Sequence, residues 1–400
     1  MVENKGYTTK DKAFWHITIA LALTSFFIFA TMYAAQPILP LFTKEFNISV
    51  AFSSLSMSLT TVGLIAGLIV IGFLSDQHGR TIFIKLSIIT TVFLLFIIPL
   101  APSFIWIVLL RFLQGFTMAG VAGAAIAYIT EEIDSRYVAF ATALYIAANS
   151  AGGMAGRFLM GALAEGKSWE FAFIILGVFG LIIFIYALAA LPASKRFEAS
   201  SGSFRDDLAG FFVHLKKPAM LVMFGLGIVL QFSFTGMWTY LPFHLINPPY
   251  DLTLGQIAFF YLAYSFGIIG APLAGWLTSK YTLRSVRVTG IFVLSIGMVI
   301  VFFPSLWAIS IGLAVICFGF FTTHSIAATT VAQSAAHHKG SASSLYLVSY
   351  YIGVSAGTTF LSPIWEAFAW QGIVAVTASL PILYYVATTV VQNRKKAHHV

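Results

Sequence analysis

The sequence predicts an all-α membrane protein of twelve transmembrane helices in two pseudosymmetric six-helix bundles, on three observations. Only 9% of the residues are charged and 59% are hydrophobic, against about 25% charged in soluble domains, and the mean hydropathy is +0.91. The chain also offers twelve apolar runs close to the roughly 20 residues that one crossing needs. The runs are 14–42, 50–73, 81–101, 104–131, 137–165, 168–192, 218–247, 254–278, 285–304, 306–331, 341–367 and 370–391. Finally, the second six echo the first. Ala-Thr-Ala-Leu-Tyr at 141–145 returns as Ala-Ser-Ser-Leu-Tyr at 342–346, and at the same offset of 201 Gly152 meets Gly353, Gly156 meets Gly357, Glu165 meets Glu366 and Trp169 meets Trp370. Such a register is the mark of a duplicated half.

The first run contains Pro37 and Pro40 and is too long for the apolar part of a cleaved signal peptide, so it reads as an uncleaved span. The only long polar stretch separates the sixth and seventh runs, which gives an N-terminal bundle over 1–192, a linker over 193–217 and a C-terminal bundle over 218–400. Of the 22 Lys and Arg, only Lys44 and Lys167 fall in loops that face outwards if the N-terminus is inside, and Lys85, Arg111 and Arg157 lie within runs. The rest collect on one side. The positive-inside rule therefore places both termini in the cytoplasm of a cell membrane. The net charge of +8 is explained by topology and calls for no nucleic acid. Cys317 is alone in an apolar run and reads as a buried thiol, and no metal-ligand spacing appears.

Between the second and third runs stands Gly72-Phe73-Leu74-Ser75-Asp76-Gln77-His78-Gly79-Arg80. Gly72 and Gly79 suit close backbone approach and a tight turn, while Asp76 and Arg80 need water or paired protein. The pattern G-x-L-S-D-x-x-G-R, at this position, resembles the signature loop of the major facilitator superfamily of transporters. The resemblance extends over essentially the whole chain. It implies the major facilitator fold, a substrate path between the halves, alternating access, and a gate in which Asp76 meets the start of span eleven and Arg80 meets acids at the end of span four. Glu131 and Glu132 supply those acids.

Span four carries Arg111, Gln114, Gly115, Gly120 and Gly123 and resembles the family's second motif, whose Arg is often linked to proton coupling. An Arg inside a span costs about 2.5–3.5 kcal/mol on insertion scales and normally faces protein or water. In span five, Gly152, Gly156 and Gly161 match the glycines of the family's antiporter motif, but Arg157 stands at its Pro position and Met160 at one of its paired glycines. Arg111 and Arg157 fall at similar depth on consecutive antiparallel helices, at about 1.5 Å per residue. Two cations there ask for a counter-charge, and no Asp or Glu lies centrally in any run. Either Arg111, Arg157 or both attract an anionic or zwitterionic substrate, or Glu165 neutralises Arg157.

The remaining polar groups at interior depth are Tyr33, Gln36, Asn149, Gln231, Trp238, Tyr240, His244, Tyr264, His324, Tyr346 and Tyr350. Aromatics and amides edging a cavity suit a bulky amphipathic substrate, and His324 is the side chain best placed to titrate near neutral pH if protons are coupled. The glycine pairs Gly63/Gly67, Gly152/Gly156 and Gly353/Gly357 each lie four apart and form close helix seams. Residues 161–168 fit the phosphate-loop pattern, but an apolar helix precedes them where that loop needs a strand, so nucleotide binding is not expected. Leu191-Pro-Ala-Ser loosely resembles the end of span six in drug exporters. The expected activity is secondary transport: proton-coupled efflux of a drug-like or metabolite substrate, or, as the alternative, movement of an anionic or zwitterionic metabolite or amphipathic lipid through Arg111 and Arg157. No enzyme activity and no cofactor beyond the proton gradient is expected, the partners are substrate, protons and lipid, and a monomer suffices. A non-transporting sensor is the least favoured reading, since the central stretch is too short for a soluble domain.

Overall fold

The computed structural model describes residues 6–194, 196–197, 212–335 and 339–397. Their helices include α1 (Lys12–Tyr33), α2 (Leu39–Glu45), α3 (Val50–His78), α4 (Arg80–Ile97), α5 (Phe104–Glu132), α6 (Ser135–Gly166), α7 (Trp169–Ala190), α8 (Pro218–Leu245), α9 (Leu254–Phe260), α10 (Ser265–Leu277), α11 (Leu283–Ile300), α12 (Leu306–Ser334), α13 (Lys339–Thr359) and α14 (Ser362–Ala397). Among the described residues the sole β pairing is one bridge between Tyr7 and Ile133. A chain that cannot expose backbone to lipid has little choice but helix. Starts are marked by side-chain caps: Ser49 accepts from Phe52 N, Asp134 from Arg136 N, Ser168 from Phe171 N and Thr282 from Ser285 N.

Among the described residues, eleven spans are long and apolar enough to cross a membrane. The remaining predicted span, the eleventh (α13), has 21 residues and is diluted by Ser, Tyr, Gly and Thr, so packing against α8 rather than apolarity sets its place. Three runs differ from their predicted outlines. The first breaks after Tyr33 into a 3-10 turn, Gln36–Ile38, before α2, because Pro37 and Pro40 lack the N–H groups that would bond Tyr33 and Gln36 carbonyls. The eighth splits into α9, a 3-10 turn over Tyr261–Tyr264, and α10. The eleventh stops at Thr359 instead of 367, since Pro363 cannot bond the Thr359 carbonyl, and a non-helical Ala369 (φ 47, ψ −142) interrupts α14.

The chain divides into two compact units, Met1–Ser201 with Leu252–Phe259, and Gly202–Asp251 with Phe260–Val400. Of the linker expected over 193–217, residues 195 and 198–211 lie outside the described residues. Each unit contains the same seam. In the first, a Cβ added at Gly152 or Gly156 would fall on the carbonyl oxygen of Phe26 or Ala30 of α1. In the second, a Cβ at Gly353 or Gly357 would fall on that of Ile228 or Phe232 of α8. The partners repeat at an offset of 202 and the glycines at 201, so the duplication seen in sequence is also a duplication of packing. Trp169 and Trp370 are buried anchors in both, donating to Glu45 Oε2 at 2.9 Å and to the Val301 carbonyl at 3.1 Å.

Candidate functional site: two arginines at a broken helix and an aromatic row

In the first unit the break in the first span organises the site. Ending α1 at Tyr33 releases carbonyls that a continuous helix would occupy. Arg111, fully buried on α5, takes them. Its Nη1 donates to Thr31 O at 3.0 Å and to Gln114 Oε1 at 2.5 Å, its Nη2 to Met32 O at 2.7 Å, and its Nε to Ser56 O at 3.3 Å. Gln114 Nε2 reaches Thr91 O at 3.4 Å. One guanidinium thus ties α1, α3 and α5 together, and Gln114 extends the tie to α4. A cation at the negative end of a helix is favoured by the macrodipole. The counter-charge expected for Arg111 is therefore a set of carbonyl dipoles.

Arg157 reaches the same break from α6. Its Nε donates to Gln36 Oε1 at 2.6 Å, its Nη1 to Gly153 O at 2.6 Å, and its Cζ lies 3.9 Å from the centre of the Tyr33 ring. Gln36 is fully buried and Tyr33 nearly so. Glu165 does not neutralise Arg157. Its carboxylate accepts the backbone N–H of Gly255. Gly161 faces the same segment, where an added Cβ would meet Ala258 Cβ at 2.9 Å and Leu254 O at 3.0 Å, and Phe158 meets Phe259 edge-on at 5.2 Å. Asn149 is partly buried on α6. The phosphate-loop pattern is helical through Gly166, with Ser168 capping α7, so it has no strand–loop–helix cradle.

In the second unit the residues singled out from sequence form a row. Trp238, fully buried on α8, is stacked on Tyr261 at 5.2 Å and tilted against Tyr264 at 4.7 Å, with Phe234 edge-on at 6.3 Å. Phe234 stacks on Phe320 at 3.9 Å, Phe320 on His324 at 5.7 Å, and His324 neighbours Tyr346 at 5.5 Å and Tyr350 at 4.9 Å. His324 Nδ1 is 3.0 Å from the Tyr346 hydroxyl. Gln231 accepts from Thr235 Oγ1 at 2.7 Å on the same helix. Two residues expected at a cavity edge are anchored elsewhere. Tyr240 donates to Thr358 O at 3.1 Å beside Ser362, and His244 stacks on Trp370 at 4.4 Å. One correspondence escaped the sequence reading: Met32-Tyr33 with Pro37 and Met237-Trp238 with Pro242 repeat at an offset of 205. Each half thus carries an aromatic four residues before a proline near the end of its first long helix.

The signature loop forms an ion-pair cluster at the end of α3. Gly79 (φ 101) makes the turn into α4, whereas a Cβ at Gly72 would meet nothing within 4 Å, so close approach is not its role. Arg80 pairs with Asp76, donates from Nε to Glu131 Oε1 at 3.0 Å, and from Nη1 to Ser75 Oγ at 3.2 Å. Glu132 does not join this pair. It is fully buried, accepts from Arg196 N at 3.0 Å, and lies 3.3 Å from Arg196 Nη1. Arg196 in turn lies over the Tyr7 ring at 5.0 Å, and Tyr7 N bonds Glu132 O at 2.9 Å.

The sequence model of the Major Facilitator Superfamily matches residues 21–358. An "Uncharacterized transporter" of Buchnera aphidicola subsp. Schizaphis graminum is 36% identical over 372 residues, covering 93% of this chain and 90% of that protein. The "Inner membrane transport protein YnfM" of Escherichia coli is 32% identical over 384 residues, covering 96% and 92%. Among solved structures, a bacterial homologue of the human lysosomal transporter Spinster superposes with a TM-score of 0.78 at 17% identity, over 95% of this chain and 96% of that one. The nucleoside transporter NupG gives the same score at 13% identity, over 94% and 99%. The two solved structures speak to fold alone. The sequence model and the relatives speak to ancestry: the chain belongs to the Major Facilitator Superfamily and is a multi-pass membrane transporter of a small molecule.

Proposed function

We propose that the chain is a proton-coupled exporter of a small amphipathic metabolite or drug-like molecule, working by alternating access in the cell membrane with both termini in the cytoplasm and sufficient as a monomer. The observation that carries this reading is the aromatic row from Trp238 through Phe320 to His324 and Tyr350, whose rings and few hydrogen-bonding groups are of the kind that lines a site for a planar apolar solute. Export and proton coupling are supported by the resemblance of Gly152, Gly156 and Gly161 to the antiporter motif, and orientation by the distribution of Lys and Arg. The proposed proton carrier is His324, and Asp76, Arg80 and Glu131 are the proposed gate.

A second reading rests on Arg157. Gln36, the Gly153 carbonyl and the Tyr33 ring present its guanidinium beside the break in the first span, an arrangement suited to an anionic or zwitterionic metabolite or an amphipathic lipid headgroup. Purified protein in vesicles with a lumenal pH dye separates the two. A dye response to added cationic solutes supports the first, and a response restricted to anions supports the second. A pH-silent uptake signal with every solute would overturn the coupling.

A further inference from the structure

A groove of about 340 Å³ opens on the flank of the first unit, lined by Thr81, Ile82, Lys85, Leu86, Ile89, Phe184 and Ala193. Its lining combines an apolar stripe with two polar side chains. Ile82 and Leu86, 53% and 52% exposed, stand one turn apart on α4, and the apolar stripe continues to Phe93, which is 60% exposed. On a membrane-spanning helix such side chains face acyl chains. Between Ile82 and Leu86 along α4 comes Lys85, five residues and about 7.5 Å along the helix from Arg80. It is only partly buried, and its Nζ donates to the Leu191 carbonyl just past the end of α7 at 2.9 Å. An ammonium has three hydrogens, and this carbonyl takes one. The Thr81 hydroxyl sits one turn before it, 3.3 Å from Ser194 Oγ. Among the described residues no acidic side chain lines the groove.

From this arrangement we infer that the groove is a binding site for an anionic phospholipid, its phosphate against Lys85 and Thr81 and one acyl chain along Ile82, Leu86, Ile89 and Phe184. Charge complementarity selects the occupant. A basic pocket between helices at the cytoplasmic side, with an apolar wall running toward mid-membrane, matches a negatively charged lipid of that leaflet. The leaflet rests on the proposed orientation, whereas the chemistry of the groove does not, so the two fail separately.

The test is thermal unfolding of the detergent-purified full chain supplied with phosphatidylglycerol, phosphatidylcholine or soluble glycerol phosphate, together with native mass spectrometry of bound lipid. Phosphatidylglycerol is expected to raise the melting temperature more than phosphatidylcholine and to survive as a tight adduct. Lys85→Gln should bind it about fivefold more weakly, the effect of one Lys at an anionic surface. Ile82→Trp, which keeps the charge and fills the groove, should also lose the adduct, which covers the case in which Lys85→Gln does not fold. Equal shifts from both lipids, the same shift from glycerol phosphate alone, or an undiminished adduct in either folded variant would overturn the assignment. Orientation is checked independently, by labelling a cysteine placed at Tyr7 in whole cells.

Discussion

Arg157 donates from Nε to Gln36 Oε1 across 2.6 Å, joining α6 to the 3-10 turn that interrupts the first span. If this guanidinium recognises an anion, Arg157→Ala should lower anion transport about tenfold or more, the cost of one charge-assisted contact, with normal membrane insertion. Arg157→Lys keeps the charge but not the flat face over Tyr33, and should fall between. Gln36→Glu gives Arg157 a fixed counter-ion and should suppress anion transport while sparing cations. Counterflow of labelled substrate measures all three, and unchanged anion transport in Arg157→Ala would refute the role.

Arg111 should behave differently. It holds three backbone carbonyls and Gln114, so Arg111→Ala removes charge-assisted hydrogen bonds from a buried site, at about 1.5–3 kcal/mol each. The expected result is a large drop in detergent melting temperature and poor recovery. Arg111→Lys, with fewer and differently directed donors, should recover part of the stability. A variant that melts like wild type yet fails to transport would show a coupling role instead.

The extent of what could be read from sequence is clear from these two arginines. Their similar depth on consecutive helices followed from helix rise and hydropathy, which are local properties. Their partners did not, because the acceptors are main-chain atoms exposed by a break. Pro37 and Pro40 were the available signal. Glu131 and Glu132 illustrate another limit. Adjacent residues on a helix point about 100° apart, so one faces Arg80 and the other Arg196, and spacing alone could not assign them. The twelve spans and the repeated glycines were legible because lipid and close packing both leave periodic, composition-level marks.

The signature loop yields a further prediction. Asp76→Asn should abolish transport with membrane expression intact, since Arg80 loses an ionic partner. Glu131→Gln should weaken transport, because a neutral acceptor still reaches Arg80 Nε. Glu132→Gln acts elsewhere and should chiefly destabilise, loosening Arg196. Transport in inverted vesicles, normalised to protein in the membrane, tests the ordering, and full activity of Asp76→Asn would rule out the gate.

For proton coupling, His324→Gln retains a hydrogen-bonding group beside Tyr346 but cannot titrate. The expectation is loss of gradient-driven accumulation with substrate exchange preserved. Gradient-driven transport equal to wild type would remove His324 as the carrier.

Steric closeness at the glycine seams gives paired expectations. Gly156→Ala and Gly357→Ala each push a methyl into a helix backbone and should lower stability by similar amounts, about 1–3 kcal/mol. Gly72→Ala has open space around it and should be neutral or stabilising by up to about 1 kcal/mol from helix propensity. Melting temperatures decide it, and a costly Gly72→Ala with a harmless Gly156→Ala would contradict the packing.

Because α1 against α6 and α8 against α13 are the same joint built twice, the molecule contains its own reference. A lesion at one copy can be judged against its twin under identical lipid, temperature and detergent. Any difference between the paired outcomes then isolates the work that one half has taken on since the ancestral gene was copied.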